Sequence, residues 1–154
     1  MVSFTSEALR GNPLDDPHVR PLHVYAPEDD SRRYPSVYVI QGMTGMADAW
    51  FNVEPWSPSF PDRISELAPD AVVVLIDAFT AVGGSQFLDS PAIGNYHTYL
   101  CDEIVPYVDA HFPTVARNAP VTAWMQESEL MQLAQLDIVD GKAGTRQPLV
   151  PSSR

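Results

Sequence analysis

AVVVLIDAF, residues 71–79, is the stretch that decides the fold. Its first six positions form an unbroken apolar run in which most residues are β-branched, with no alternation between polar and apolar side chains. Strands buried on both faces have this composition, and they are typical of parallel sheets covered by helices. SVYVIQG, residues 36–42, has the same character. The sequence therefore predicts two buried, parallel strands.

Two flanking stretches have a different pattern. VSFTSEAL, residues 2–9, and PLHVYAP, residues 21–27, each alternate apolar and polar residues, which is typical of strands with one exposed face. The segment between them, GNPLDDPH, is rich in turn-forming residues. We therefore expect these two strands to pair as an antiparallel, hairpin-like unit.

Two helices are predicted in the connections. A short one should cover residues 62–67, directly after Pro61, and a longer one residues 96–112, with Asn95 as its N-terminal cap. Pro106 lies inside the longer helix and should kink it or separate its first turns. Four apolar residues recur at helical spacing and should face the sheet: Leu100, Ile104, Val108 and Phe112.

The order of the predicted elements indicates the fold class. Strand, helix, strand and helix are followed by a short strand at residues 121–123, which is the order of an α/β sheet with crossover connections. A chain of 154 residues is long enough for one such domain with its own core.

Charge and composition argue against several classes of partner. The 20 acidic and 9 basic residues give a net charge of −11, so the chain could not neutralise the phosphates of nucleic acid or of an anionic membrane. A single cysteine, Cys101, excludes an intramolecular disulfide. No basic start followed by an apolar run is visible, and the longest apolar stretch is too short to cross a bilayer. We expect a cytoplasmic protein that contacts no membrane.

Three stretches, taken together and in this order, resemble a known family. They are SEALRGNPLDDPHVRPLHVYAP, YPSVYVIQGMTGMADAW and VVVLIDAFTAVGGSQFLDSPAIGNYHTYLCDEIVPYVDAHFPTV. The resemblance is to the esterase family of α/β-hydrolases that includes esterase D (S-formylglutathione hydrolase) and the mycolyltransferase antigens, and it covers about residues 1–122. It implies an incomplete α/β-hydrolase fold, with an N-terminal antiparallel strand pair beside parallel strands joined by crossover helices. It also implies hydrolysis or transfer of a small-molecule acyl ester through a serine acyl-enzyme, without a cofactor.

GMTG, residues 42–45, directly follows one buried strand and should lie at the carboxyl edge of the sheet. Ligands bind at that edge in open α/β sheets. The resemblance implies that this loop supplies one backbone N–H of an oxyanion hole, from Met43, with Thr44 as the neighbouring candidate. Without the resemblance, a tight strand-to-helix turn is the simpler interpretation.

GGSQFLDS, residues 83–90, follows the other buried strand and should reach the same edge. GGSQF comes within one residue of the G-x-S-x-G nucleophile motif, but bulky Phe87 occupies the place of the second glycine, so we reject it as a nucleophile elbow. Several residues are expected to line or border an acyl or alcohol pocket at this edge: Gly42, Ser85, Gln86, Asp89, Ser90, Tyr96 and His97.

A cysteine–histidine nucleophile is the alternative within the long helix, because His97 and Cys101 are one turn apart. A structural cysteine is favoured, because a reactive thiolate needs an electropositive setting and Asp102 and Glu103 supply the opposite. Metal binding by His97, Asp102, Asp109 or His111 lacks a recognisable ligand spacing, so no metal is expected.

The family's nucleophile is missing from VTAWMQESEL, residues 121–130. Family members continue from the Val-Thr strand into a glycine, a variable residue, the serine, another residue and a glycine. Carried over by position, Ala123 stands for the first glycine, Met125 for the serine, Gln126 for the second oxyanion donor and Glu127 for the closing glycine. The chain also ends before the family's acid and histidine appear, so we expect it to be inactive alone.

The change of sequence style at Trp124 divides the chain. Residues 1–123 are interpreted as the N-terminal part of an esterase-like domain, and residues 124–154 as a divergent segment with a helix at about 126–140 and a flexible tail. The chain is either a truncated esterase gene continued by unrelated codons, which this change favours, or a short member that has lost catalysis. The alternative function is a non-catalytic binding or oligomerisation module that self-associates through an open sheet edge.

Overall fold

The computed structural model describes residues 1–43, 45–51, 55–56 and 58–115. Their main feature is a mixed four-stranded sheet. Its strands are β1 (Val2–Thr5), β2 (Val19–Tyr25), β3 (Ser36–Val39) and β4 (Val72–Ile76). They lie in the order β1-β2-β4-β3, so the two apolar strands are neighbours.

Both predicted strand pairings are confirmed. β1 and β2 pair antiparallel, with Val2 opposite Leu22, and β3 and β4 pair parallel, with Val37 opposite Val73. β2 also pairs antiparallel with β4, which joins the hairpin to the parallel strands in one sheet.

The predicted strands extended too far at their C-terminal ends. β1 ends at Thr5 rather than residue 9, because the carboxylate of Glu103 accepts hydrogen bonds from the Ser6 hydroxyl and from the N–H groups of Glu7 and Ala8. These bonds hold the chain in a turn. β3 and β4 each end three residues earlier than predicted, and the residues beyond them form the loops at the carboxyl edge of the sheet.

The short helix is confirmed and starts earlier than predicted. Helix α1 (Phe60–Leu67) begins after Ser59, whose side chain and that of Asp62 satisfy each other's backbone N–H groups in a capping box. Pro61 lies in the first turn, where its missing N–H has no cost. A 3₁₀ helix (Ala47–Phe51) precedes it.

The long helix has three consecutive parts: α2 (Tyr96–Thr98), a π-helical segment (Tyr99–Ile104) and α3 (Val105–His111). Pro106 lies in the first turn of α3, so the predicted separation of the first turns is confirmed. The π-helical turn accommodates the proline, which has no N–H to donate to the preceding turn.

The predicted cap of this helix was wrong. Asn95 makes no capping hydrogen bond with its side chain. Asp89 takes this role instead, because its carboxylate accepts from the Thr98 N–H at 3.0 Å and from the Thr98 hydroxyl at 2.8 Å. Asp89 reaches the helix through a two-residue strand pair, Asp89–Ser90 with Gly94–Asn95.

The two faces of β4 are buried against different layers, which explains its unbroken apolar sequence. On one face, Val74 belongs to a core cluster with residues of the long helix. On the other, Leu75 packs in a cluster with Phe60 and Ile64 of α1. Burying each such side chain stabilises the fold by about 1.5–3 kcal/mol. Of the predicted sheet-facing residues of the long helix, Leu100, Ile104 and Val108 belong to the first cluster. Phe112 is partly buried and packs against it.

The chain returns to the sheet after the long helix. Thr114 forms a parallel bridge with Tyr34, just ahead of β3. The Tyr34 N–H donates to the Pro113 carbonyl, and the Val115 N–H donates to the Tyr34 carbonyl. The predicted strand at residues 121–123, the helix at 126–140, the tail and Met125 lie outside the described residues. In the part of the chain that is described, every helix is too short or too polar to cross a bilayer.

Candidate functional site

The loops that follow β3 and β4 meet at the carboxyl edge of the sheet. The two strands are parallel, so both chains leave the sheet on the same side. Beyond them, the backbone N–H of Gly84 donates to the carbonyl oxygen of Met43 at 2.7 Å. The prediction that the two glycine-containing loops lie side by side is therefore confirmed.

Two glycines make this close approach possible. A Cβ atom at Gly83, where φ is +111°, would lie 2.9 Å from the Met43 carbonyl oxygen. A Cβ atom at Gly84 would lie 2.9 Å from the Gly42 carbonyl oxygen and 3.0 Å from the Met43 Cα atom. All of these neighbouring atoms belong to the backbone, which cannot rotate away as a side chain can. A larger residue at Gly83 or Gly84 would therefore push the two loops apart.

The Gly42–Met43 peptide has a defined orientation. The Gly45 N–H donates to the Gly42 carbonyl oxygen at 3.0 Å and closes a tight turn. In a trans peptide the N–H points opposite to the carbonyl, so the Met43 N–H is directed away from that bond. No acceptor for this N–H is found among the described residues. Thr44, the neighbouring oxyanion candidate, lies outside them.

Gln86 and Phe87 are held in an unusual backbone conformation. Both have positive φ angles, 56° and 53°, in the left-handed region that costs non-glycine residues roughly 1–2 kcal/mol. Burial of the Phe87 ring and a hydrogen bond from its N–H to the Ser85 hydroxyl at 3.2 Å maintain the turn. The exposed Gln86 side chain then reaches Met43, with its Nε2 atom 3.5 Å from the sulfur.

A buried polar network underlies the second loop. Arg20, 5% exposed, donates to the Asp77 carboxylate at 2.8 Å, the Phe79 carbonyl at 2.7 Å and the Tyr96 hydroxyl at 3.0 Å. The Tyr99 hydroxyl donates to the Asp77 carbonyl at 3.2 Å. This network fixes the chain where it leaves β4. Sequence reasoning missed it, although an aspartate at the end of a buried apolar run was an available signal; Arg20 lay just outside the predicted strand at residues 21–27.

A second buried group supports the first loop. Gln41, 8% exposed, precedes Gly42 and accepts a hydrogen bond from the Trp50 indole N–H through its amide oxygen. This bond ties the 3₁₀ helix to the base of the turn. Sequence reasoning missed Gln41 as well, because a single polar residue at the end of an apolar strand carries no pattern of its own.

The predicted pocket residues occupy different kinds of position. Ser85 and Tyr96 have buried side chains whose hydroxyls are already used: the Ser85 hydroxyl accepts from the Phe87 N–H, and the Tyr96 hydroxyl accepts from Arg20. Ser90 closes a local turn by accepting from the Ala92 N–H at 3.2 Å. Gln86 is the one predicted pocket residue for which a side-chain contact with the first loop is described.

Asp89 lies near the end of the second loop, and His97 lies in α2, which follows it in the chain. Hydrogen bonds from Thr98 lower the pKa of the Asp89 carboxyl, in keeping with its capping role. His97 is exposed, and among the described residues no hydrogen bond links it to Gly42 or Met43. The structure thus gives both residues a place at the start of the long helix.

His97 and Cys101 form the one contact between a thiol and a histidine ring in the described part of the chain, with Sγ 3.7 Å from Nε2. Burial raises the pKa of the Cys101 thiol, and the charges of Asp102 and Asp89 raise it further. The thiol therefore stays protonated at neutral pH, which argues against a cysteine nucleophile. No group of three or more metal-ligating side chains occurs within the described ranges.

Comparison with known proteins supports the fold. The chain resembles the solved S-formylglutathione hydrolase of Agrobacterium tumefaciens with a TM-score of 0.52 and 18% identity, over 73% of this chain and 43% of that one. It resembles a solved ferulic acid esterase with a TM-score of 0.51 and 20% identity, over 77% and 44%. The matched region spans less than half the length of either structure.

Neither a family model nor a curated protein matches the chain. The resemblance noted in the sequence is confirmed at the level of the fold by the two solved structures. The chain has an α/β-hydrolase-like fold, shared with part of an S-formylglutathione hydrolase and part of a ferulic acid esterase.

Proposed function

We propose that this chain is an esterase-family member that supplies part of an acyl-ester hydrolase site and does not turn over esters by itself. The observation that carries the proposal is the Gly84 N–H to Met43 carbonyl hydrogen bond, which holds two loops together at the edge where α/β sheets bind ligands. The likeness in fold to two enzymes of ester chemistry adds support.

Met43 has the central role in this proposal. Its backbone N–H, directed away from the closed turn, is the donor for the oxyanion that forms when an ester carbonyl is attacked. Removing one such donor typically costs a hydrolase about 10²–10³ in rate, because the donor acts where negative charge develops. Gln86 and Met43 side chains would contact the acyl or alcohol group of a small-molecule ester.

Met125 accounts for the proposed lack of turnover. A thioether has no proton to lose and cannot form the acyl-enzyme that a serine hydroxyl forms. The histidines of this sequence, at positions 18, 23, 97 and 111, all precede Met125, whereas the family order places the catalytic histidine after the nucleophile.

The first test combines p-nitrophenyl acetate turnover by the purified chain with labelling by a fluorophosphonate probe. We expect no turnover above that of the heat-denatured chain and no stoichiometric label, with a serine esterase as the positive control. Stoichiometric labelling of any serine would overturn the proposal and identify the nucleophile.

A second variant separates loss of the nucleophile from loss of the base. The combined substitutions A123G, W124K, M125S, Q126S and E127G restore the elbow pattern. We expect this variant to remain inactive, because no histidine occupies the family's catalytic position. Esterase activity in it would show that a histidine of this chain, such as His97, can act as the base.

A non-catalytic binding or oligomerisation module is the second candidate. The observation that favours it is the place of β3, whose last two residues are buried and which is the terminal strand in the order β1-β2-β4-β3 among the described residues. A buried-type strand that is incompletely paired tends to associate with other chains. Size-exclusion chromatography with light scattering distinguishes the outcomes: a discrete dimer supports the module, and a monomer or a heterogeneous aggregate argues against it.

A further inference from the structure

A cleft of about 450 Å³ lies at the amino edge of the parallel strands, opposite the Met43 loop. Ala71, just ahead of β4, and Tyr25, at the end of antiparallel β2, both line it. Its walls are the C-terminal half of α1 and the segment that joins β2 to β3. The volume is in the range of small-molecule sites.

One part of this cleft is apolar. Ile64 and Ala68 of the α1 region, with Pro69 after it, contribute aliphatic surface. Tyr25 contributes an aromatic ring, which is packed against Phe51 at a centroid distance of 6.4 Å. Partial burial raises the pKa of the Tyr25 hydroxyl, so the ring stays uncharged at neutral pH. A ligand with an apolar or aromatic body fits this part.

The charged part of the lining is predominantly negative. Glu28 and Asp29 contribute carboxylates, and Arg32 is the single basic lining residue. The Arg32 guanidinium is already occupied, because it pairs with Asp70 and lies 4.7 Å from the centre of the Tyr34 ring. Asp29 lies 4.0 Å from the same guanidinium, and Glu28 has no ion pair among the described residues. The carboxylates of Glu28, Asp29 and neighbouring Asp70 therefore outnumber the single guanidinium by two.

The end of α1 adds to this negative field. The cleft includes Ser65 and Ala68, so the C-terminal turn of the helix borders it. Unpaired carbonyl groups give a helix C-terminus a partial negative charge, and the last turn of α1 contains no basic residue to offset it. Arg63, earlier in the helix, is not part of the lining.

We propose that this cleft binds a small organic cation in which an ammonium group is joined to an apolar or aromatic body. The ammonium group lies among Glu28, Asp29 and the C-terminal carbonyls of α1, and the body packs on Ile64, Ala68 and Tyr25. The net charge of −11 favours cations over anions at long range as well. This site is independent of the ester chemistry proposed for the opposite edge.

The test is an NMR titration of the full chain with phenethylamine, followed through the methyl groups of Ile64 and Ala68. We expect saturable shifts with a dissociation constant on the order of 1 mM at low salt, the range of a fragment-sized ligand. 3-Phenylpropionate has a similar body and the opposite charge, and we expect at least tenfold weaker binding. Equal affinity for the two probes, or no saturable shift with phenethylamine, overturns the proposal.

Variants locate the site. The double substitution Glu28→Gln and Asp29→Asn should weaken phenethylamine binding roughly two- to thirtyfold, the range for two exposed carboxylates. Asp30→Asn is the matched control for Asp29→Asn, because Asp30 is adjacent and exposed but does not line the cleft. Ser65→Trp, at an exposed helix position, should block the cleft while the melting curve stays cooperative. Equal losses of phenethylamine affinity in Asp29→Asn and Asp30→Asn, or unchanged phenethylamine binding in Ser65→Trp, contradict the assignment of the cation site to this cleft.

Discussion

At the level of single residues, the surroundings of Cys101 decide its chemistry. His97 lies one helical turn away, at 3.7 Å from the sulfur, and this spacing in the sequence is compatible with a nucleophile and its base. Burial and the nearby carboxylates of Asp102 and Asp89 favour the neutral thiol instead. A pair of residue types at the right spacing is therefore insufficient without a positive potential at the sulfur.

This argument predicts the pH dependence of Cys101 alkylation. The reactive species is the thiolate, and the thiol pKa is raised above its ordinary value, so the rate with iodoacetamide should be low at pH 7 and reach half its maximum at a higher pH than for a free, exposed cysteine thiol. Asp102→Asn removes a carboxylate that raises the pKa and should shift the profile to lower pH.

His97→Ala provides the control for this prediction. Because we assign no activating role to the imidazole, alkylation at pH 7 should not slow in this variant. A large decrease in rate would instead show that His97 activates the sulfur.

At the level of elements, the two loops at the carboxyl edge are positioned by long-range contacts. The Gly84 to Met43 hydrogen bond joins residues that are far apart in sequence, and the Arg20–Asp77 pair links β2 to the end of β4 across 57 positions. Sequence patterns predicted β3, β4 and the edge at which they end, but not these partners, because each depends on which strands become neighbours.

Gly84→Ala tests the contact between the loops. Its new Cβ atom would lie 2.9 Å from the Gly42 carbonyl oxygen, so the backbone has to shift, and we expect a loss of about 1–3 kcal/mol in the free energy of unfolding by urea. Gly42→Ala is the matched control, because a Cβ atom there meets nothing within 4 Å and its φ is not in the left-handed region.

The Gly42→Ala control distinguishes close packing of the loops from general flexibility of the glycines. Gly42→Ala should change the free energy of unfolding by no more than about 0.5 kcal/mol, as expected for a site without steric conflict. Equal destabilisation by both substitutions would mean that general flexibility of the glycines, rather than close packing of the loops, explains the effect.

At the level of the whole molecule, the excess of acidic residues affects stability. A net charge of −11 on 154 residues produces repulsion that is stronger in the compact state than in the unfolded chain. Several acidic residues, including Glu28 and Asp30, are exposed and have no described ion-pair partner among residues 1–115.

We therefore predict that salt stabilises the protein. Raising NaCl from about 10 mM to about 1 M shortens the Debye length from about 30 Å to about 3 Å, so the repulsion is screened and the urea midpoint should rise. The double variant Glu28→Gln and Asp30→Asn should show a smaller salt response. An unchanged or lower midpoint in the unmodified protein would contradict the prediction.

Much of the fold was accessible from sequence because burial leaves a local pattern. The apolar run of β4 showed that both of its faces are covered, and the spacing from Leu100 to Phe112 showed which side of the long helix faces the sheet. The same logic placed GMTG and GGSQFLDS at one edge, since parallel strands end on the same side.

The tertiary structure alone decided which groups meet. Arg20 binds Asp77 because the strand order places β2 beside β4. Asp89 rather than Asn95 caps the long helix because the pairing of Asp89–Ser90 with Gly94–Asn95 brings its carboxylate to Thr98. The sequence by itself determined that residue 125, the position at which the resemblance predicts the nucleophile, is a methionine, because chemical identity is carried by each residue independently of folding. The burial of Ser85 and Tyr96 depends on tertiary packing, which a local pattern does not encode.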